Sequence, residues 1–218
     1  MIEFSLADIL SFLLLATRWT LALSAIAFLG GGIGALLLLL LRYARPRVGG
    51  RLMHLYVELF QGTPLLLQLF LIFFGLPKLG LDVSPLLAAT IALTLYATAF
   101  LAEIWRGCVD AIPRGQWDAS ASLGMTFVQQ MRDVILPQAL KIAIPPTVGF
   151  LVQLVKSTAL ASIVGFHELT KAGQVINNAT FQPFITYSIV ALIYFAICYP
   201  LTHWSRRLER RLSPTGHR

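Results

Sequence analysis

The sequence predicts an all-α protein, a polytopic membrane helix bundle with about five transmembrane helices. Hydrophobic residues make up 57% of its 218 residues and charged residues only 12%, against about 45–50% and about 25% in soluble domains. Several apolar runs approach the about 20 residues with which a helix crosses the about 30 Å hydrocarbon core. No linker or low-complexity tract divides the chain, so residues 1–218 are expected to form a single transmembrane domain.

Five stretches fit a membrane span, and they are Trp19 to Leu41, Leu52 to Leu76, Pro85 to Trp105, Ile142 to Phe166, and Phe184 to Trp204. In the first, a run of glycines between residues 30 and 34 predicts close approach of a neighbouring helix. In the second, Gly62 and Pro64 predict a bend that frees backbone carbonyls. The apolar segment Phe4 to Thr17 is separated from the first stretch by Arg18, so we expect it to form a short helix of its own at the outer interface.

The basic residues are distributed unevenly, which predicts the orientation of the spans. Thirteen of the 17 Lys and Arg residues follow the first, third and fifth spans, namely Arg42, Arg45, Arg47, Arg51, Arg106, Arg114, Arg132, Lys141, Arg206, Arg207, Arg210, Arg211 and Arg218. Short cytoplasmic loops retain Lys and Arg, so these residues are expected in the cytoplasm. Arg18, Lys78 and Lys171 fall on the opposite side. With five spans, the N-terminus is predicted outside and the C-terminus in the cytoplasm.

The segment between the third and fourth spans, residues 106–141, is too polar for lipid and too long for a hairpin turn. Gln116 to Leu123 predicts a short helix, and Thr126 followed by Gln129 has the spacing of a capping box that begins a second helix. Pro137 is expected to close that second helix. Spacing alone fits equally a docking platform for a soluble partner and a simple interfacial connection.

Catalytic, metal-binding and nucleotide-binding motifs are absent from the sequence. Lys156 is followed by Ser and Thr but is not preceded by the Gly of a phosphate-binding loop, so this chain is not expected to hydrolyse ATP. Cys108 and Cys198 lack Cys-x-x-Cys spacing and are expected to be packing residues. Histidines are scattered over different spans and loops. The basic residues cluster between apolar runs, which favours membrane topology over nucleic-acid binding.

Residues 118–137 resemble the cytoplasmic EAA loop of ABC importer permeases. That loop reads Glu-Ala-Ala, three residues, Gly, nine residues, then Ile-x-Leu-Pro. Here Asp118-Ala-Ser-Ala-Ser-Leu-Gly124 is followed by Val134-Ile-Leu-Pro137, with conservative departures at positions 118, 120 and 134. Further segments look like the polar amino acid uptake group: Gly62-Thr-Pro-Leu-Leu-Leu-Gln68, Ala102-Glu-Ile-Trp-Arg-Gly107, Ile112-Pro-Arg-Gly-Gln116, Lys156-Ser-Thr-Ala-Leu160 and His167-Glu-Leu169.

The resemblance implies the fold of a type I ABC importer permease in the bacterial cytoplasmic membrane. It implies a translocation pathway for a polar or charged L-amino acid, delivered by a periplasmic or extracellular binding protein. ATP and Mg would be bound by partner ABC ATPase subunits, while this chain would bind no cofactor. The other expected partners are membrane lipid and a second permease, either another copy or a similar chain. The residues expected to couple to the ATPase are Asp118, Ala119, Ser120, Gly124, Leu136 and Pro137.

Ionisable residues inside a membrane are costly and mark a pathway or a buried pair. Glu103 lies three residues before Arg106, so a structural ion pair on one helix face is expected. Lys156 lies in the fourth span, where its polar neighbourhood fits either the charged ends of an amino acid or an interhelical pair with a carboxylate. The candidate residues of the substrate pathway are Thr63, Gln68, Gln153, Lys156, Ser157 and Thr158. Ser157 stands where the family most often has an acidic residue, which argues mildly against arginine or lysine as substrate.

Two other functional classes compete with this interpretation. A secondary transporter driven by an ion gradient commonly has inverted repeats with paired broken helices, and no such repeat is visible in the sequence. A membrane enzyme or scaffold requires converging catalytic groups or large extramembrane surfaces, and the sequence supplies neither. Neither the transported amino acid nor the choice between a homodimer and a heterodimer of permeases follows from the sequence.

Overall fold

The computed structural model describes the backbone of residues 5–212 and the side chains of residues 5–210. Within that range the chain is helical and contains no strand. Its elements are α1 (Leu6–Ala44), α2 (Pro46–Gln61), α3 (Leu65–Lys78), α4 (Pro85–Asp110), α5 (Arg114–Ser122), α6 (Phe127–Gln129), a π-helical turn (Gln130–Ile135), α7 (Leu136–Ser157), a 3-10 turn (Thr158–Ser162), α8 (Leu169–Thr180) and α9 (Pro183–Leu212). The expectations for Phe4, the Arg211 side chain and Arg218 fall outside the described part.

Four helical stretches among the described residues are long and apolar enough to cross a membrane. They are α1, α4, the stretch from α6 to the 3-10 turn, and α9. The bent pair α2 and α3 makes a fifth candidate when it is counted as one span. The predicted bundle of about five transmembrane helices is therefore confirmed.

Helix α1 is continuous over 39 residues, about 58 Å in length, so the expectation of a separate short helix before Arg18 is wrong. The Arg18 side chain is exposed, and its guanidinium carbon lies 5.6 Å from the ring centroid of Trp19. A long Arg side chain can lie along a helix and stack on an aromatic ring without breaking any backbone hydrogen bond. Ile9 and Leu13 are buried in a cluster with α8 and α9, which holds this part of α1 in the bundle.

Helices α2 and α3 meet at 94° across Gly62–Pro64. The bend predicted at Pro64 is confirmed, and it is sharp enough to separate the second predicted span into two helices. The side-chain amide of Gln68 donates to the carbonyls of Phe60 and Thr63, at 2.9 and 3.1 Å. These hydrogen bonds satisfy carbonyls that have no backbone donor at the break.

Helix α4 lies at the centre of the bundle and contacts α1, α2, α3 and α7. Its contact with α1 depends on glycine. A Cβ added at Gly31 would lie 2.5 Å from the Cβ of Ala97, and one added at Gly34 would lie 2.5 Å from Oγ1 of Thr98. The predicted close approach to the glycine run is therefore confirmed, with α4 as the neighbour. Gly32 faces another direction, and its added Cβ would have only an ordinary contact at 3.6 Å.

A capping box begins the long helical stretch after α5. Oε1 of Gln129 accepts from the Thr126 N–H at 2.8 Å, and Oγ1 of Thr126 accepts from the Gln129 N–H at 3.4 Å, so the predicted helix start is confirmed. The expectation that Pro137 closes this helix is wrong, because the helix continues through the π-helical turn into α7. There the N–H of Leu136 donates to the carbonyl of Met131, five residues back. The wider turn makes room for the proline ring beside the preceding turn.

Helix α8 lies between the end of α7 and the start of α9, and it contacts both α1 and α9. Glu168 is its N-cap residue, and its Oε1 accepts from the Lys171 N–H at 2.9 Å. Phe181 ends the helix in the left-handed region, with φ of 54°. The sequence predicts only a connection at this place, so this helix is a finding of the structure.

Candidate functional site

Helix α5 presents a small, polar, solvent-exposed face at the end of the bundle where α4 ends. Asp118 and Ala119 are exposed, and the Asp118 carboxylate makes no ion pair with any described residue. Ser120 points the other way: it is 3% exposed, and its hydroxyl donates to the Trp117 carbonyl at 2.9 Å. The exposed face of α5 therefore contains the first two residues of the EAA-like motif, whereas Ser120 lies on the buried face of the helix.

Gly124 makes the turn between α5 and α6 in a left-handed conformation, with φ of +73°. A Cβ added there would have no atom within 4 Å. Packing therefore does not require glycine at this position. The backbone conformation does, because it costs other L-residues about 1–2 kcal/mol.

An apolar cluster fixes α5 to the π-helical turn. Met131 and Ile135 of the turn are buried in it, and Trp117 of α5 packs against it. The side-chain amide of Gln138 in α7 also donates to Oε1 of Gln116 in α5, at 3.2 Å. A force applied to α5 is therefore transmitted to the start of α7. Leu136 and Pro137 at this junction are both exposed.

The other end of α7 carries polar side chains that are exposed on the surface of the single chain. Lys156 and Gln153 are exposed, Ser157 is half-buried, and no described carboxylate lies within 4 Å of the Lys156 ammonium. The Gln153 amide donates to the hydroxyl of Tyr96 in α4 at 3.2 Å. Thr158 is fully buried, and its hydroxyl donates to the Val155 carbonyl at 2.7 Å. The patch thus consists of the exposed Gln153 and Lys156 and the half-buried Ser157. Thr158 is buried next to the patch and is not part of its surface.

The break between α2 and α3 lies close to this patch. Ser157 lines the same small void as Leu65 and Leu69 of α3. Thr63 is exposed at the break, whereas Gln68 is 8% exposed and donates its amide hydrogens to the break itself. The structure therefore brings the break and the patch together, with Thr63 open to solvent and Gln68 in a supporting position.

Glu103 and Arg106 are in contact on α4. Nε of Arg106 donates to Oε2 of Glu103 at 2.9 Å, and the same guanidinium also pairs with Asp110. All three side chains are partly exposed. This triad occupies the last two turns of α4 and fixes the orientation of Arg106.

A buried carboxyl that sequence reasoning did not single out joins three helices. Glu168 is 0% exposed. Its Oε2 accepts from the hydroxyls of Tyr194 in α9 at 2.8 Å and of Thr20 in α1 at 3.3 Å. Thr20 Oγ1 in turn accepts from the Leu169 N–H at 3.1 Å. The sequence offers only the family-like segment His167-Glu-Leu169, which does not reveal that the Glu168 carboxyl joins three helices.

A sequence model of the family described as "Binding-protein-dependent transport system inner membrane component" matches residues 30–214. The chain belongs to this family. It is therefore a multi-pass component of an inner-membrane transport system. Among the described residues, no group of three or more His, Cys, Asp or Glu side chains could hold a metal ion.

Relatives and solved structures place this transport component more closely. It is 34% identical to the probable amino-acid ABC transporter permease protein YckA of Bacillus subtilis, over 88% of this chain and 85% of the relative. It is 36% identical to the L-cystine transport system permease protein TcyB of Bacillus subtilis, over 89% and 83%. A crystal structure of an amino acid ABC transporter with histidines matches with a TM-score of 0.90 and 32% identity, over 97% of this chain and 99% of that chain. The expected type I ABC importer permease fold is confirmed.

The inward-facing methionine ABC transporter MetNI shares the fold at a TM-score of 0.76 and 23% identity, over 97% of this chain and 100% of that chain. The fold is thus common to transport components whose sequences have diverged well beyond the first two relatives.

Proposed function

We propose that this chain is the permease subunit of an ATP-driven importer for a polar or charged L-amino acid, which an extracytoplasmic binding protein delivers. The carrying observation is the match, over 97% of the chain, to the structure of an amino acid ABC transporter at a TM-score of 0.90 and 32% identity. The two relatives named above, with permease names and coverage above 80% of both chains, agree with it. No observation favours the secondary transporter.

The substrate pathway in this proposal runs past the exposed patch of α7. Lys156 and Gln153 are exposed on the single chain, on a helix that is long and apolar enough to span the membrane. An ionisable side chain within a membrane faces a water-filled cavity or a partner rather than lipid. One copy of the chain leaves this face uncovered, so a second permease subunit, identical or similar, provides the opposite wall. Thr63 at the α2–α3 break and Ser157 extend the polar surface.

The ATPase subunits dock on the exposed face of α5 in this proposal. Asp118 and Ala119 provide the contact, and Gly124 sets the angle of the helix. Because an apolar cluster joins α5 to the π-helical turn, movement of α5 displaces α7. The patch lies about 20 residues further along the same helix, about 30 Å away, so α7 connects ATP hydrolysis to the substrate. This assignment places α5 and the C-terminus in the cytoplasm and the N-terminus outside.

Reconstitution with the cognate ATPase and binding protein in lipid vesicles tests the function directly. ATP-dependent amino acid uptake that requires the binding protein is the expected result. Uptake that follows a proton or sodium gradient without ATP contradicts the proposal.

The role of the patch is tested by Lys156→Ala, with Lys141→Ala as the matched control, since both lysines are exposed on α7. Loss of a charge-assisted hydrogen bond to the substrate is expected to lower uptake by about tenfold or more in Lys156→Ala alone, with ATPase association unchanged. Equal uptake by the two variants removes Lys156 from the pathway. Loss of the assembled complex in Lys156→Ala assigns the residue to a structural pair instead.

A further inference from the structure

Apart from the α7 patch, a polar cavity lies between α1, α2 and α4, near the turn that joins α1 to α2. We name it the α1–α2–α4 cleft. It has a volume of about 360 Å³, within the range of about 300–1,000 Å³ that is typical of small-molecule pockets. None of its lining residues belongs to α3 or α7. The residues that matter below are Arg42, Gly50, His54, Glu58, Glu103 and Arg106.

The cleft presents separated charges of both signs. Arg106 is held by Glu103 and Asp110. Arg42 on α1 makes no ion pair with any described residue. Among the described basic side chains, Glu58 on α2 contacts only the His54 imidazole, at 3.3 Å. The Arg42 guanidinium, which has no ion-pair partner among the described residues, and the largely exposed Glu58 carboxylate therefore lie on different helices. Both residues line the cavity.

The lining fits a zwitterion better than a ligand of one charge sign. Two arginines and two glutamates line the cleft, so the formal charges of these four side chains cancel. A ligand with net charge would find no excess of the opposite sign. A molecule that carries one carboxylate and one ammonium can pair the first with Arg42, in the planar geometry that guanidinium groups favour, and the second with Glu58.

The position of the cleft places it on a route through the protein. His54, Glu58 and Gln61 line it and recur at the i, i+4 and i+7 positions of one face of α2. Gln61 ends α2 and lies two residues before Thr63 at the break beside the α7 patch. These three side chains therefore extend from the α2–α3 break toward the α1–α2 turn, which the proposed orientation places in the cytoplasm.

We propose that the α1–α2–α4 cleft is a second binding site for the transported amino acid, where Arg42 binds its α-carboxylate and Glu58 its α-ammonium after it has left the patch. This inference rests on the proposed function for the identity of the ligand. It predicts recognition of the α-carbon substituents that all amino acids share, so the side chain contributes little selectivity at this site.

Cysteine protection in the purified permease–ATPase complex, held in lipid nanodiscs so that both faces are accessible, tests the site. Gly50→Cys places a thiol in the cleft and changes no charged residue. The new side chain fits there, because an added Cβ has no atom within 4 Å. Gly107→Cys is the matched control, since it is exposed, equally free of contacts and not part of the lining. The wild type measures background labelling, because Cys108 and Cys198 are buried.

The probes are L-glutamine, L-arginine and L-cystine, with the analogues of glutamine that lack the carboxylate or the ammonium. An amino acid at about ten times its dissociation constant is expected to slow modification of Gly50→Cys by about tenfold and to leave Gly107→Cys unchanged. The analogues are expected to protect weakly. Arg42→Gln or Glu58→Gln, each combined with Gly50→Cys, should reduce the apparent affinity by about tenfold or more, whereas Arg132→Gln should not.

Three outcomes overturn the proposal: protection by none of the amino acids, equal protection by the analogues, or protection by added ATPase regardless of amino acid, which identifies a subunit interface. The vesicle uptake assay separates the two proposals. Uptake without protection of Gly50→Cys rejects the second site alone, whereas absence of ATP-dependent uptake rejects the proposed function.

Discussion

Replacing Gly124 by valine is the sharpest perturbation of the proposed coupling segment. The residue has φ of +73°, a region that β-branched residues rarely enter. No atom lies within 4 Å of an added Cβ, so the substitution introduces backbone strain and no steric clash. Gly115→Val is the matched control, because Gly115 lies in the first turn of α5, has the same open surroundings and does not have positive φ.

The strain can be estimated from the conformation. A non-glycine residue forced into this region costs about 1–3 kcal/mol. The turn is exposed, so the chain can relieve the strain by leaving the left-handed region, which reorients α5. Docking of an ATPase then has to restore the original turn, and its affinity falls by about 5- to 150-fold, since about 1.4 kcal/mol corresponds to a factor of ten.

The assay measures ATPase association, basal hydrolysis and substrate uptake for each variant in vesicles. Gly124→Val is expected to lose affinity or coupling while it still inserts, and Gly115→Val is expected to retain both. Gly124→Asn should lie close to wild type, because Asn enters the left-handed region at low cost. Wild-type coupling in Gly124→Val, or an equal loss in Gly115→Val, refutes the role of the turn.

Three further predictions concern packing, topology and the buried carboxyl. Gly31→Ala should unfold at a lower temperature in detergent than Gly32→Ala, because overpacking against α4 costs about 1–3 kcal/mol. Of these two glycines, Gly31 alone is in close contact with α4. In intact cells an impermeant thiol reagent should label Ser84→Cys but not Ser122→Cys, and the reverse pattern inverts the proposed orientation. Glu168→Ala should destabilise the permease by about 2–4 kcal/mol in thermal or denaturant unfolding, because buried donors lose their acceptor; unchanged stability contradicts its joining role.

The long helices were predictable because their signal is compositional. An apolar run of membrane length has few alternatives to a helix, since every backbone polar group must be satisfied within it. The capping box at Thr126 and Gln129 was predictable for a different reason, because both of its hydrogen bonds are local. The continuation of the helix past Pro137 was not, since it depends on a π-helical turn, and no residue in Gln130–Ile135 has a specific preference for that geometry. The continuity of α1 past Arg18 was likewise invisible, because it depends on burial of Ile9 and Leu13 against α8 and α9.

The candidate site shows the same division between local and tertiary information. Polar residues near Lys156 and near the α2–α3 break all fit a substrate pathway when only their sequence positions are known. Thr158 and Gln68 nevertheless donate their side-chain hydrogens to nearby backbone carbonyls. Polar side chains commonly form such local hydrogen bonds at helix ends and breaks. Whether such a side chain faces the proposed pathway is decided by the rotation of its helix, and tertiary packing sets that rotation, for α7 against both α4 and α9.

Glu168 represents the opposite case. In the sequence it appears only as part of the family-like segment His167-Glu-Leu169, yet its carboxyl accepts from α1, α8 and α9 at once. Those partners are 148 and 26 residues away in the chain for Thr20 and Tyr194, so no local pattern reveals them. The 3-10 turn links the end of α7 to the segment before Glu168, so in the proposed mechanism a displacement of α7 would act against this fixed point. In that mechanism the buried carboxyl would hold one end of α7 in place while α5 moves the other end, with the α7 patch between the two.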